Sequence, residues 1–344
     1  MRVLVIKTSS MGDVIHTLPA LTDAARAVDG LRVDWVVEEA FADLASRHPA
    51  VARAIPCALR RWRRHPLRAR RSGEWEQFKG ALRGKPPYDA VIDAQGLIKS
   101  AFLTRLAHGP KFGLDKNSAR EPLSAWVLDH PLAVPRGGHA ISRVRQLFAQ
   151  ALGYALPDTA PEYGLLRTER PRSLLRGPAD LVFFHGTTWP TKHYPEPFWR
   201  TLAEQAQAAG HRVHLPWSNE PERARAERIA RGLPAAQVLP RLGLGELTDR
   251  LLRWDAFVAV DTGLAHLAAA TGLPGLALYG PTDPRLTGVR GPRAHSLAAE
   301  FPCAPCLQEK CTYRGSLGRG VTPPCFSSLK PHRVWRRLIE VASA

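Results

Sequence analysis

The chain has 344 residues, 44% hydrophobic and 23% charged, which excludes disordered and fibrous classes and exceeds what one hydrophobic core serves, so two domains are expected. Lys and Arg number 48 against 31 Asp and Glu, and the net charge of +17 favours an anionic partner: nucleic acid, a membrane surface, or a phosphorylated or carboxylated substrate. The richest apolar stretch, Leu264 to Tyr279, is interrupted by His266, Gly272, Pro274 and Gly275, and the start, Met1 to Lys7, is too short for a secretory signal. A cytosolic chain without a membrane span is expected.

Apolar runs that end in Gly, Asp or Ser and lead into helical patterns predict strands at Val3–Ile6, Val33–Val37 and Ala90–Asp93 in the first half. The second half has such runs at Leu181–Phe184, Val213–Leu215, Gln237–Leu239, Ala256–Val260 and Gly275–Tyr279. Alternation of this kind predicts an α/β fold with parallel sheets in both halves. Between them, Gly153 to Pro178 carries Pro157, Pro161, Pro171 and Pro178 and reads as a linker. The assignment is residues 1–160 and 161–325 as two domains, with residues 326–344 as a helix through Val334, Leu338 and Val341 that packs back on the first domain.

In open α/β sheets ligands lie beyond the carboxyl ends of strands, so loops that follow strands are where functional residues are sought. Lys7-Thr8-Ser9-Ser10-Met11-Gly12-Asp13 holds one carboxylate, Asp13, suited to act as general base or to cap the following helix. His185-Gly186-Thr187-Thr188, with Lys192 beyond, offers hydroxyls, amides and an ammonium for a diphosphate, without the spacing of a Walker loop. Asp261-Thr262-Gly263-Leu264-Ala265-His266 places amides at a helix start, where an anion is favoured, and adds an acidic acceptor for sugar hydroxyls and an imidazole that suits either a phosphate or the core. Glu222, in Trp217-Ser218-Asn219-Glu220-Pro221-Glu222, suits ribose hydroxyls or a first helical turn.

Arg60-Arg61-Trp62-Arg63-Arg64-His65, extended by Arg68, Arg70 and Arg71, reads as a solvated face or as a set of forks for carboxylates and phosphates; Arg120 and His139 are further candidates for anion contact. Five cysteines argue against a disulfide framework. Cys303, Cys306, Cys311 and Cys325 have the spacing C-x2-C-x4-C-x13-C, which suits a structural zinc ion or free thiols in a loop.

Taken in order, these segments resemble the bacterial lipopolysaccharide heptosyltransferases over nearly the whole chain. The motifs that carry the resemblance include Met1–Asp13, Asp34-Trp35-Val36-Val37-Glu38-Glu39, Arg60–Arg63, Val91–Leu97, Ala119–Leu123, Val260–Leu264 and Tyr279–Pro284. Lys-Thr-Ser-Ser-Met-Gly-Asp together with Trp-Val-Val-Glu-Glu and Arg-Arg-Trp-Arg is similar to the heptosyltransferase I branch, with heptosyltransferase II as the nearest competitor. The resemblance implies the glycosyltransferase B fold, two Rossmann-like domains facing across a cleft, and an inverting transfer of heptose from ADP-heptose to the inner Kdo of Kdo-lipid A at the cytoplasmic face of the inner membrane. It implies that Asp13 is the general base, that Thr187, Thr188 and Lys192 bind the diphosphate, and that Glu222 holds the ribose beside Leu242 at the adenine. Asp261 would bind the heptose, while Thr262, Gly263 and His266 take the phosphates. Arg60, Arg61, Arg63, Arg64, Arg120 and His139 would meet the anionic acceptor. No cofactor and no catalytic metal are expected, because amides and basic groups neutralise the diphosphate. Two other readings compete: a nucleic-acid-binding protein, which the charge suggests but no motif supports, and a sugar-nucleotide epimerase on the same fold.

Overall fold

A computed structural model describes residues 1–65, 71–84, 86–165 and 171–343. Two compact units divide between Leu165 and Leu166. Among the described residues of the first, six strands, β1 (Arg2–Ile6), β2 (Arg32–Glu38), β3 (Val51–Cys57), β4 (Ala90–Asp93), β5 (Lys111–Leu114) and β6 (His130–Leu132), form one parallel sheet in the order β3-β2-β1-β4-β5-β6. The helices are α1 (Met11–Ala27), α2 (Ala42–Ser46), α3 (Leu59–Arg64), α4 (Glu74–Arg83), α5 (Ile98–Leu106) and α6 (Ala140–Leu152).

The second unit repeats the plan. Its strands, β7 (Asp180–Phe184), β8 (Arg212–Leu215), β9 (Ala236–Val238), β10 (Ala256–Val260), β11 (Gly275–Tyr279) and β12 (Ala294–Ala298), lie in the order β12-β11-β10-β7-β8-β9. Its helices are α7 (Glu196–Ala208), α8 (Glu220–Ala230), α9 (Leu244–Leu251), α10 (Gly263–Ala270), α11 (Pro284–Thr287) and α12 (Pro331–Ser343). Counted within each unit, both sheets read 3-2-1-4-5-6, the Rossmann order, and the direction of winding reverses between β1 and β4 and between β7 and β10. Each reversal parts the loops at the strand ends, which makes these two points the places to look for ligands.

Interior strands are buried on both faces, and β10 and β11 are apolar throughout for that reason. At Gly275 an added Cβ would stand 2.2 Å from the Phe257 carbonyl oxygen, so only glycine lets β11 close on β10 there. The stretch 153–165 stays with the first unit: buried Arg145 pairs with Asp23 and also donates to the carbonyls of Pro157 and Thr159.

The last helix lies in the core of the second unit: Val334, Leu338, Val341 and Ala342 join Trp199, Leu202, Leu276 and Phe326, with α12 set against α7 and β11. Its apolar stripe is legible in the sequence, whereas the surface that accepts it depends on long-range packing that periodicity does not encode.

Candidate active site

Asp13 is the third residue of α1. Its Oδ2 accepts from the Ser10 amide at 2.9 Å and from the Ser10 hydroxyl at 2.8 Å, so the carboxylate does cap the helix. The cap does not bury it: the side chain is 43% exposed, with Oδ1 at 3.7 Å from the Lys7 ammonium. Lys7 is itself buried and donates to the Ala94 carbonyl, which joins the loop after β1 to the loop after β4. Gln95 completes that join, donating to the Ser9 carbonyl at 2.7 Å and accepting from the Thr8 and Ser9 amides. The Lys99 ammonium meets the Ser9 hydroxyl at 2.9 Å. Buried Asp93 shapes the β4 loop by accepting from the Gln95 and Gly96 amides and the Ser100 hydroxyl, and burial raises its pKa. Capping and catalysis are therefore compatible: the cap fixes the carboxylate at the first sheet's reversal point while solvent reaches it.

The basic segment on α3 is divided in use. Arg60 and Arg63 border a hollow of about 730 Å3 shared with Glu38, Trp62, Trp75 and Lys99, while Arg60, Arg61 and Arg64 border a second of about 420 Å3. Arg61 is engaged by two acids of its own unit. Glu39 and Glu74 hold its guanidinium in ion pairs at 3.0 and 2.8 Å, and their carboxylates push its pKa upward. Burial raises the pKa of Glu38, which lies between the hollows. Arg120 is exposed, on a loop tied to the β4 turn through Glu121, whose amide donates to the Gly96 carbonyl and whose carboxylate accepts from the Ile98 amide at 2.7 Å. His139 is buried, caps α6 by accepting from the Ile141 amide, and lies edge-on to His16. Arg68 and Arg70 lie outside the described residues.

In the second unit the expected donor residues gather at the reversal between β7 and β10. Lys192, on a short 3-10 turn after β7, pairs with Asp261 at the tip of β10 at 2.8 Å; the two side chains are 18% and 8% exposed. The Thr282 hydroxyl donates to the same Asp261 oxygen at 2.7 Å, and the Thr187 hydroxyl donates to the Asp261 carbonyl. Trp189 lies under the Lys192 ammonium at 4.7 Å. Thr262 is the N-cap of α10, Gly263 opens it, and His266 is buried in its first turns. Thr188 is exposed beside Thr187.

Glu222 caps α8's loop by accepting from the Ser218 amide and hydroxyl, both at 2.8 Å, and its carboxylate rests on Gly186, where an added Cβ would stand 2.6 Å from Oε1. Glycine thus lets an acid on the β8 loop lie against the β7 loop. Leu242, half-buried, follows the Leu239 carbonyl that accepts from the Trp217 indole. His185 is fully buried under this loop, and burial lowers its pKa to about 4, so it is neutral.

The contacts of Thr282, Trp189, Gln95, Lys99 and Lys7 are not evident from the sequence. For Gln95 and Lys99 a signal existed: they follow β4, the strand that pairs with β1.

The four C-terminal cysteines border one cavity of about 80 Å3, but among the described residues no group of three or more His, Cys, Asp or Glu is arranged to hold a metal ion. Burial pushes the Cys325 thiol up to about 12. The loop braces the turns after β7 and β11: the Thr191 hydroxyl donates to the Gln308 carbonyl at 2.6 Å, and the Leu307 amide to the Pro281 carbonyl at 2.8 Å, beside Lys192 and Thr282 respectively.

This arrangement has relatives. Residues 75–316 match the model of glycosyltransferase family 9 (heptosyltransferase). Lipopolysaccharide heptosyltransferase 1 of Pseudomonas aeruginosa is 52% identical, over 98% of this chain and 97% of that protein. Of solved structures, E. coli heptosyltransferase WaaC with ADP-2-deoxy-2-fluoro heptose is 41% identical with a TM-score of 0.82, over 99% of each chain, and the same enzyme with ADP is 46% identical with a TM-score of 0.81, over 87% of this chain and 94% of that one. Two Rossmann-like units in one chain are the glycosyltransferase B fold that the resemblance implies. On a family match over most of its length and identity above one half across nearly all of it, the chain belongs to glycosyltransferase family 9, the heptosyltransferases.

Proposed function

We propose that this chain transfers L-glycero-D-manno-heptose from ADP-heptose to the inner Kdo of Kdo-lipid A, with inversion at the anomeric carbon, as a heptosyltransferase of the first branch. The observation that carries the reading is the Lys192–Asp261–Thr282 cluster beside the start of α10, a set of one cation, one carboxylate, hydroxyls and helix amides that suits a sugar joined to a diphosphate.

In this reading Asp13 takes the proton of the Kdo hydroxyl as its oxygen attacks the anomeric carbon. The bond from that carbon to the β-phosphate oxygen breaks, and ADP leaves with the electron pair. Lys192 and the amides of Thr262 and Gly263 meet the charge that grows on the departing oxygen. Asp261 and Thr282 hold heptose hydroxyls, Glu222 the ribose and Leu242 the adenine edge. Arg60, Arg63, Arg64 and Arg120 meet the carboxylates and phosphates of the acceptor. Protein groups supply the positive charge, so transfer proceeds in the presence of a chelator.

Among the described residues no helix is long and apolar enough to cross a membrane. A net charge of +17 suits work at an anionic cytoplasmic leaflet, where the lipid-linked acceptor is found. The test is ADP release on mixing the chain with ADP-heptose and Kdo-lipid A, compared with an acceptor that already carries one heptose. Release that needs both substrates and prefers the unheptosylated acceptor is expected. Preference for the heptosylated acceptor points to heptosyltransferase II, and turnover of ADP-heptose without acceptor overturns the reading.

A further inference from the structure

On the first unit, Ile98 and Phe102 of α5 and Leu123 and Trp126 of the adjoining 3-10 helix Pro122–Val127 all stand in solvent; Trp126 is 82% exposed. Single exposed apolar residues are ordinary, but these four sit on two elements in direct contact, and the Glu121 carboxylate binds the Ile98 amide and joins the elements into one ledge. Phe102 stacks on Trp75 at 5.9 Å between centroids, which runs the apolar surface into the hollow that Arg60, Arg63 and Lys99 border. Lys99 and Arg120 flank the ledge itself.

We propose that this ledge is the surface by which the chain rests on an anionic bilayer, with Trp126, Leu123, Ile98 and Phe102 entering the headgroup region and the surrounding Lys and Arg residues facing lipid phosphates. The inference rests on the lipid-linked acceptor of the proposed function and adds to it the place of contact. Tryptophan, with an apolar body and one N–H, suits the interfacial zone of a bilayer. Charge decides the occupant: a second copy would bring another net +17 against this basic rim, whereas an anionic leaflet complements it. The contact also has a use. Lys99, on the ledge helix, touches Ser9 in the loop that carries Asp13, so seating α5 on lipid holds that loop at headgroup height.

The test uses the full chain with sedimented vesicles of phosphatidylglycerol and phosphatidylethanolamine, and with phosphatidylcholine vesicles as the uncharged control. The parent should bind the anionic vesicles and largely ignore the others, with binding weakened by salt. The double variant Leu123→Ser/Trp126→Ser changes two exposed residues, so its circular dichroism should match the parent while vesicle binding falls ~tenfold or more. Transfer to a deacylated, water-soluble acceptor should be unchanged in the variant and transfer to acceptor embedded in vesicles reduced. Undiminished vesicle binding by the variant overturns the proposal, as does a parent dimer that the variant dissolves in sedimentation velocity. Equal loss on both acceptors also overturns it and assigns these residues to sugar binding. If the parent transfers to neither acceptor, the proposed function fails, independently of the vesicle result.

Discussion

Replacing Lys192 with alanine separates two roles that one ammonium would fill. Without substrate it neutralises Asp261 at 2.8 Å, and with substrate it would stabilise the departing diphosphate. Losing one member of a fully buried pair costs ~3–5 kcal/mol and of an exposed pair under ~1 kcal/mol. At 18% and 8% exposure this pair lies between, and the Thr282 hydroxyl still serves the stranded carboxylate, so about 2 kcal/mol is expected. For a unit of this size that lowers the melting temperature by ~4–8 °C. Loss of a cation aimed at the leaving group should lower kcat by ~100–1000-fold, with a smaller rise in KM for ADP-heptose. Calorimetry gives the first number and ADP release at saturating substrates the second. Lys192→Arg keeps the charge and should recover most of the stability. A Lys192→Ala variant that melts early yet keeps kcat within about threefold of the parent would refute the leaving-group role and leave Lys192 as a counter-ion to Asp261.

Gly186→Ala pushes a methyl to within 2.6 Å of Glu222 Oε1, and since a flexible side chain yields, stability should change by under ~1 kcal/mol. Displacing that carboxylate should raise KM for ADP-heptose by ~tenfold with kcat nearly intact; steady-state kinetics with an unmoved KM would remove Glu222 from the donor site. His48 is buried, its Nδ1 accepts from the Ala50 amide, its Nε2 lies 2.9 Å from the Thr22 hydroxyl, and burial lowers its pKa to about 4. The unfolded chain therefore takes up this proton first, so the contribution is complete above the unfolded value of about 6.5 and is lost as pH falls toward 4. His48→Asn should melt below the parent at pH near 7, and the gap should narrow across that window; a constant gap would contradict the assignment.

The strands that were legible are mostly those buried on both faces, where a run of apolar residues is unmistakable. The four unforeseen strands are β3, β5, β6 and β12; three are sheet edges and β5 is next to one. Edge strands tolerate Arg, Pro and His, as in Val-Ala-Arg-Ala-Ile-Pro-Cys, so alternation is lost. The loops that hold Asp13, Thr187 and Asp261 were legible because they follow interior strands. Partners distant in sequence were not: Arg61 reads as a free fork until Glu39 and Glu74 arrive from 22 and 13 residues away. His139 reads as a candidate anion contact, and its burial beside His16 shows only in the fold. Thr282 meets Asp261 only through the pairing of β10 with β11.

In the proposed mechanism, transfer depends above all on the carboxylate of Asp13 receiving a proton. Asp13→Asn retains an oxygen for the Ser10 amide and hydroxyl, so the helix cap and the melting temperature should survive. ADP release from ADP-heptose and Kdo-lipid A, both saturating, should fall by ~100–10,000-fold. A variant that melts with the parent and still releases ADP at the parental rate would contradict the mechanism.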